Sequence, residues 1–325
     1  VQQFRTDFSI PQLGDPIDYH GAVLMTGSCF SENIVQRLSA YKFHVQANPS
    51  GIIYNPISLA AELSRIIENK PVGAETLFLS EGVYRHFDFH SRFAHPEQQT
   101  AADSMNESTA RAHTFLNTCT HLVVTFGTSV VYKLTNTGAI VANNHKLPAG
   151  RFQKIQLTST EIVEAWQPLI GKIKQAYPQL NIMFTVSPVR HIRDGMIENQ
   201  LSKSVLIRAV HELKNRFSHI YYFPAYEIMM DDLRDYRFYE KDMIHPNEIA
   251  VDYIFEKFKT ACISPDCFSL MDEISSITAA VQHQPFFPDT EAHQRFKKQM
   301  FERVGVLQKQ YPHIDMSTEA DHFSN

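Results

Sequence analysis

Four short apolar runs constrain the fold of this chain more than any other feature. They read "AVLMTG" (22–27), "HLVVTFG" (121–127), "NIMFTVSP" (181–188) and "HIYYFPAY" (219–226). Each has the length of a strand and the near-continuous apolar character expected of one buried on both faces. Segments with helical spacing alternate with them. "CFSENIVQRLSAYKF" places Phe30, Ile34, Leu38 and Tyr41 on one face, "IENQLSKSVLIRAVHELKNRF" (197–217) reads as a long amphipathic helix, and "HPNEIAVDYIFEKFKTA" (245–261) carries proline in its first turn. Helices between buried strands predict a mostly parallel sheet with right-handed crossovers and helices on both faces, a three-layer α/β/α sandwich.

Other segments fill in around this frame. In "NPSGIIYNPISLAAELSRII", Asn55 caps and Pro56 opens a further helix. "VVYKLTNTGAIVANN" alternates about an Asn-Thr-Gly turn and reads as a hairpin. Thr158 and Glu161 have capping-box spacing at the head of "IVEAWQPLIGKIKQAY", where Trp166 falls on the apolar face. Residues 70–120 read as largely irregular. From about residue 263 the chain becomes polar and strongly helical, predicting an extension that packs on the outside or against a partner. The expected organisation is an α/β domain over 1–262, with insertions near 70–120 and 131–157, followed by a helical extension over 263–325.

A chain of 325 residues, 43% of them hydrophobic, can bury a substantial core without disulfides or a structural metal. The net charge of −5 and the lack of a basic block argue against nucleic acid as a partner. No apolar run approaches the roughly 20 residues of a membrane span, and the amino end "VQQFRTDFSIPQLGDP" lacks the pattern of a signal peptide. Cys29, Cys119, Cys262 and Cys267 are irregularly placed, and "CISPDC" has no second pair to make a zinc knuckle. They read as reduced thiols, and the expected location is cytoplasmic.

The chemistry is concentrated in two places. "VLMTGSCF" (23–30) ends a strand at glycine and sets Ser28 beside Cys29 at a helix start, where unpaired N–H groups favour negative charge and an oxyanion. Either side chain is a candidate nucleophile. "YEKDMIHPNEIA" (239–250) sets Asp242 three residues before His245, a spacing that lets a carboxylate orient an imidazole base. His86, His90 and His95 cluster in an aromatic, polar segment, but without the helical pairing of a zinc site; a pocket-lining loop is expected and no metal. His145 and Lys146 follow the hairpin, where they would either contact the substrate or lie on the surface. Arg190, His191 and Arg193 follow a strand end, the ligand side of an open α/β sheet, and suit an anionic group.

The layout, a Ser/Cys turn after the first strand and an Asp-x-x-His before the last core helix, resembles that of SGNH or GDSL-type hydrolases. A nearer resemblance is to the GSCFA family, through "GSCFSE" (27–32), "NPSGIIYNP" (48–56), "TFGTSVVY" (125–132), "ANNHKLPAGRF" (142–152), "SPVRHIRDG" (187–195), "DMIHP" (242–246) and "HQPFFPDTEAH" (283–293). The resemblance covers the chain from near residue 4 to residue 315. The resemblance implies a flavodoxin-like parallel sheet and acyl-ester chemistry through a covalent intermediate. With the glycines matched, Ser28 falls on the GDSL aspartate and Cys29 on the nucleophilic serine; a one-residue slip would favour Ser28 instead. Gly51 is implied as an oxyanion donor beside the nucleophile's own N–H. The third donor of the superfamily, an asparagine, is replaced in "GTSV" (127–130), leaving Thr128, Ser129, Asn143 or Asn144 as candidates. His245 would be the base and Asp242 its orienter, with no cofactor. The expected partner is a small-molecule or glycan acyl ester. Transfer to a sugar or other acceptor, and a non-catalytic ligand-binding role, remain as alternatives.

Overall fold

The computed structural model describes residues 9–324. The expectation about a signal peptide therefore rests partly on residues 1–8, outside the described residues. Five parallel strands form the central sheet: β1 (Ala22–Gly27), β2 (His44–Ala47), β3 (Cys119–Phe126), β4 (Asn181–Val186) and β5 (Ile220–Phe223), in the order β5-β4-β3-β1-β2. This is the doubly wound, flavodoxin-like order. The chain leaves β1 towards one edge and returns beside it to build the other, so the crevice at the carboxyl ends of β1 and β3 is where such a sheet binds ligands.

Alternation along the strands sorts the core into two faces. Leu24, Leu122, Val124, Ile182 and Phe184 face helices α2 (Pro56–Glu68), α4 (Ser159–Ala176) and α5 (Met196–Arg216), meeting Leu59, Leu63, Trp166, Ile170, Leu206 and Val210. Val23, Met25, Val123, Met183 and Phe223 face α1 (Cys29–Ala40) and α6 (Glu248–Cys262), meeting Ile34, Leu38, Ile254 and Phe258. The three-layer sandwich expected from the alternating runs is present. Trp166 is fully buried, its Nε1 donating to Pro56 O at 3.0 Å. Its edge-on pairs with Phe126 and Phe184 are each worth about 0.5–1.5 kcal/mol beyond their area.

Several local expectations change. The 70–120 stretch is not irregular: it holds a short hairpin (Phe78–Ser80 with Val83–Arg85) and α3 (Gln98–Leu116). The buried stripe of α3 has only Met105 and Leu116 as large apolar residues among Ala101, Ala102, Ser108, Thr109 and Ala112, and a stripe so weakly apolar gives little periodic signal. Pro246 lies outside α6, whose N-cap is the next residue: Asn247 Oδ1 accepts from Ala250 N at 3.1 Å. The hairpin about Asn136-Thr137-Gly138 forms from Val130–Leu134 and Ile140–Val141, and Phe152–Gln156 adds a third strand. Thr158 and Glu161 make the capping box.

After α6 come α7 (Phe268–Gln282), α8 (Glu291–Gln310) and α9 (Ser317–Ser324). They share a small core of Ile274, Ile277, Val304, Leu307, Met316 and Phe323, against which Tyr19 packs. Lys42 and Glu319, 2.7 Å apart, tie this unit to the turn after α1. Among the described residues no helix is long and apolar enough to cross a membrane.

Candidate active site

Gly27, with φ 135°, ends β1, and a Cβ there would collide with the carbonyl oxygen of Thr125. The chain can turn into α1 at this point only without a side chain. Ser28 is the N-cap: fully buried, its Oγ accepts from Phe30 N at 3.3 Å. Cys29 is the first residue of α1 and is partly exposed. Desolvation pushes its thiol pKa up, and the charge of Glu32 adds to this; the N–H groups of Cys29 and Phe30 and the charge of Lys203 pull it down. The two neighbours thus do different work, one as a buried cap and one as a reachable thiol.

Two further residues brace this turn. Asn48, buried with φ 45°, accepts from Gly27 N at 2.8 Å and donates to Glu32 at 3.1 Å. Glu62 on α2 accepts the Thr26 hydroxyl and, at 2.9 Å, Ser50 N–H; burial raises its carboxyl pKa.

The second candidate element is a short turn before α6. Asp242 Oδ1 accepts Ile244 N at 2.8 Å and His245 N at 3.0 Å, and its Oδ2 lies 2.7 Å from His245 Nδ1. Met243 takes a left-handed φ of 58° to allow this. The three bonds hold the Asp242 carboxyl down at about 2. The turn is fastened to the carboxyl edge of the sheet, since Arg190 N, in the loop leaving β4, donates to Ile244 O at 3.2 Å.

The remaining sequence candidates separate into those beside this edge and those used elsewhere. Arg190 is buried, with its guanidinium 4.0 Å from the Tyr239 ring centre and 5.2 Å from that of Tyr236. Arg190, Thr128 and Asn143 line a cavity of about 490 Å³ together with Tyr54, His191 and Ile244. Gly51 departs from its expected role: its N–H is donated to Asn48 O at 2.8 Å, closing a turn, and so is not free for an oxyanion. Its φ of 85° and the close approach of His90, which leaves no room for a Cβ, explain the glycine instead. Ser129 is also turned away, fully buried with both N and Oγ bonded to Ser202 Oγ of α5. Thr128 Oγ1 shares that serine at 3.1 Å.

The histidines of the 83–96 segment have a common use. His86, His90 and His95 each accept, through Nδ1, the backbone N–H two residues on, from Asp88, Arg92 and Glu97. They shape turns, and among the described residues no cluster of potential metal ligands occurs. His145 is buried with ring nitrogens on Ser91 Oγ (3.2 Å) and His86 O (2.9 Å), and serves the same loop rather than the site.

Sequence reasoning passed over the polar clamp at the start of α5. Asn199 Oδ1 accepts His191 N at 2.8 Å, Ser202 holds the 128–129 loop, and Lys203 Nζ donates to Gly127 O and Ser187 O, both at 2.7 Å. The available signal was positional, because Asn199, Lys203, Leu206, Val210 and Leu213 fall on one helical stripe and all are buried. His191, next to this clamp, is pushed down to about 3 by burial first and then by the charges of Lys203 and His245.

A model of the GSCFA family matches residues 22–258, and one of the GSCFA domain protein C-terminal domain matches residues 274–325. The chain belongs to the GSCFA family. No curated protein matches it. Among solved structures it is similar to a GDSL-like lipase from Bacteroides thetaiotaomicron (13% identity, TM-score 0.40, covering 77% of this chain and 91% of that one). It is also similar to a carbohydrate esterase family 3 protein from Talaromyces cellulolyticus (7%, 0.36, 78% and 99%). A third similar structure is a family two carbohydrate esterase from Clostridium thermocellum (13%, 0.36, 76% and 66%).

Proposed function

We propose that this GSCFA protein hydrolyses acyl esters through a thioester intermediate on Cys29. The observation that supports the reading is that a partly exposed thiol at the first turn of α1 and an imidazole held by a carboxylate both belong to turns at the carboxyl edge of the sheet. His245 takes the thiol proton as Cys29 sulfur attacks the acyl carbonyl, and the N–H of Cys29 holds the oxyanion as it forms. His245 protonates the departing alcohol and then activates the water that opens the thioester, while Asp242 fixes the ring and offsets its charge. The substrate occupies the cavity beside Tyr54 and His191, where Arg190 meets an acidic or strongly polar group.

One observation favours a second reading, transfer of the acyl group to a sugar. The cavity wall carries amides and rings, Asn143, Asn144, Tyr54 and Tyr132, suited to a hydroxylated acceptor. Added acceptor would then speed turnover of the thioester.

The test is acid quenching during turnover of an aryl acyl ester, followed by intact mass and peptide mapping. The reading expects the acyl group on Cys29 in wild type and in Ser28→Ala, accumulation in His245→Ala, and none in Cys29→Ala. Acyl groups on Ser28, or on no residue while ester is consumed, would contradict it.

A further inference from the structure

Arg190 is only 9% exposed. A cation so deeply placed is ordinarily matched by a carboxylate, yet among the described residues none pairs with it. Its Nε is buried without a hydrogen-bond partner, and Nη1 donates to Met243 O at 3.5 Å, the outer limit of such a bond. The rings of Tyr239 and Tyr236, 4.0 and 5.2 Å from the guanidinium, attract the charge but bring no countercharge.

The cavity wall that Arg190 helps to form is short of countercharge as well. The carboxylate lining it belongs to Asp194, which is already paired with Lys154. A second cavity of about 550 Å³ shares Tyr132, Asn144, Arg193 and Asp194 with the first and adds Lys146 and Lys154. In a chain of net charge −5, this connected wall is cationic. Beside Arg190, the Nε2 of His191 is also buried and unpartnered. Two neighbouring residues on one cavity thus hold polar nitrogens that nothing in the protein satisfies, where such groups are normally paired.

The place of this charge says which end of a substrate it would meet. Ile244 lines the same cavity and accepts the Arg190 N–H, and it is followed by His245. The charge of His245 is also among those that push His191 down. In the mechanism above, His245 protonates the departing alcohol, so the alcohol side of the ester lies towards Arg190.

We propose that the substrate is an acyl ester whose alcohol part carries an anionic group, a carboxylate or a phosphate, and that Arg190 is the residue that recognises it. This rests on the hydrolase reading. The guanidinium fork suits either anion, since both present paired oxygens to its N–H groups. The rings and amides of the wall, Tyr54, Tyr132, Asn143 and Asn144, hold the uncharged remainder of the alcohol. An arginine serving only to fasten the Asp242–His245 turn would not require a cationic cavity beside it.

Esters matched in all but charge test this. Para-acetoxybenzoate is compared with its methyl ester, and para-acetoxyphenyl phosphate with its dimethyl ester. Wild type favours the charged member by about tenfold or more in kcat/KM. Arg190→Met brings that ratio down towards one, and Arg190→Lys restores part of it, whereas loss of a fastening role would slow both members alike and leave the ratio in place. A larger ratio for the phosphate pair supports the proposal with a phosphorylated alcohol, and the reverse supports it with a carboxylated one. Equal rates in wild type overturn it, as does a ratio that survives in a folded Arg190→Met. Calorimetry of para-hydroxybenzoate against its methyl ester, on wild type and Cys29→Ala, gives a second reading. Equal affinities, with the phosphate product also no tighter than its dimethyl ester, overturn the proposal even where Arg190→Met fails to fold. Charge-dependent binding without any acyl group on Cys29 during ester turnover would uphold the anion site and remove the hydrolase reading.

Discussion

Asn48 Oδ1 accepts the N–H of Gly27 at 2.8 Å while its Nδ2 reaches Glu32 at 3.1 Å. One buried amide thereby joins the end of β1, the first turn of α1 and the turn after β2. Asn48→Ala leaves the Gly27 N–H without its partner in a buried place and puts alanine at a φ of 45°. We expect a loss of about 1–3 kcal/mol in urea unfolding, with an unchanged denaturant slope. A change below a few tenths would mean that the turn is held by other bonds.

Ser28 and Cys29 differ in burial and so in what their loss should do. Ser28→Ala removes a helix cap and should cost about 1 kcal/mol of stability, while alkylation at Cys29 continues. Thermal melts and labelling rates on the same preparation separate the two effects. Loss of labelling in a stably folded Ser28→Ala would mean that the cap also positions the thiol.

Asp242 accepts three hydrogen bonds within its own turn and stays ionised down to about pH 2. Acid loss of activity above about pH 3 therefore comes from other groups. Asp242→Asn should lower kcat by about 10²–10⁴-fold through misorientation of His245, with KM little changed. Steady-state kinetics of the variant against pH check both statements. An unimpaired Asp242→Asn would remove the carboxylate from the mechanism.

His191 is neutral in the folded chain down to about pH 3, against an ordinary value of 6.5. The unfolded chain binds the extra proton between those values. The stability this group contributes is complete above about 6.5 and is lost as pH falls towards 3. His191→Asn should flatten the fall of Tm with acid over that window, measured by calorimetry at matched ionic strength. An unchanged slope would place the acid sensitivity in other buried histidines, such as His121.

The strands were legible because parallel strands covered on both faces must be continuously apolar, as "NIMFTVSP" is. The Asp242–His245 turn was legible because three-residue spacing in a short loop leaves few other geometries. α3 was not, since its buried stripe of alanine, serine and threonine carries too little apolar contrast. Nor was Lys203, because a lysine in an amphipathic helix ordinarily marks the solvent face, and only its place on the Leu206–Val210–Leu213 stripe says otherwise. Gly51 was misread because a glycine needed for a left-handed turn against His90 looks, in sequence, like one needed for a free N–H. His145 was misread for a related reason: both of its ring nitrogens are used inside the loop.

The most direct measurement is competitive labelling of the native protein with iodoacetamide and a fluorophosphonate, mapped to peptides with and without prior exposure to an acyl ester. The account predicts rapid alkylation at Cys29, protected by the ester, and no phosphonylation of Ser28. Phosphonylation at Ser28, or a Cys29 that reacts no faster than a free thiol and is not protected, would contradict it.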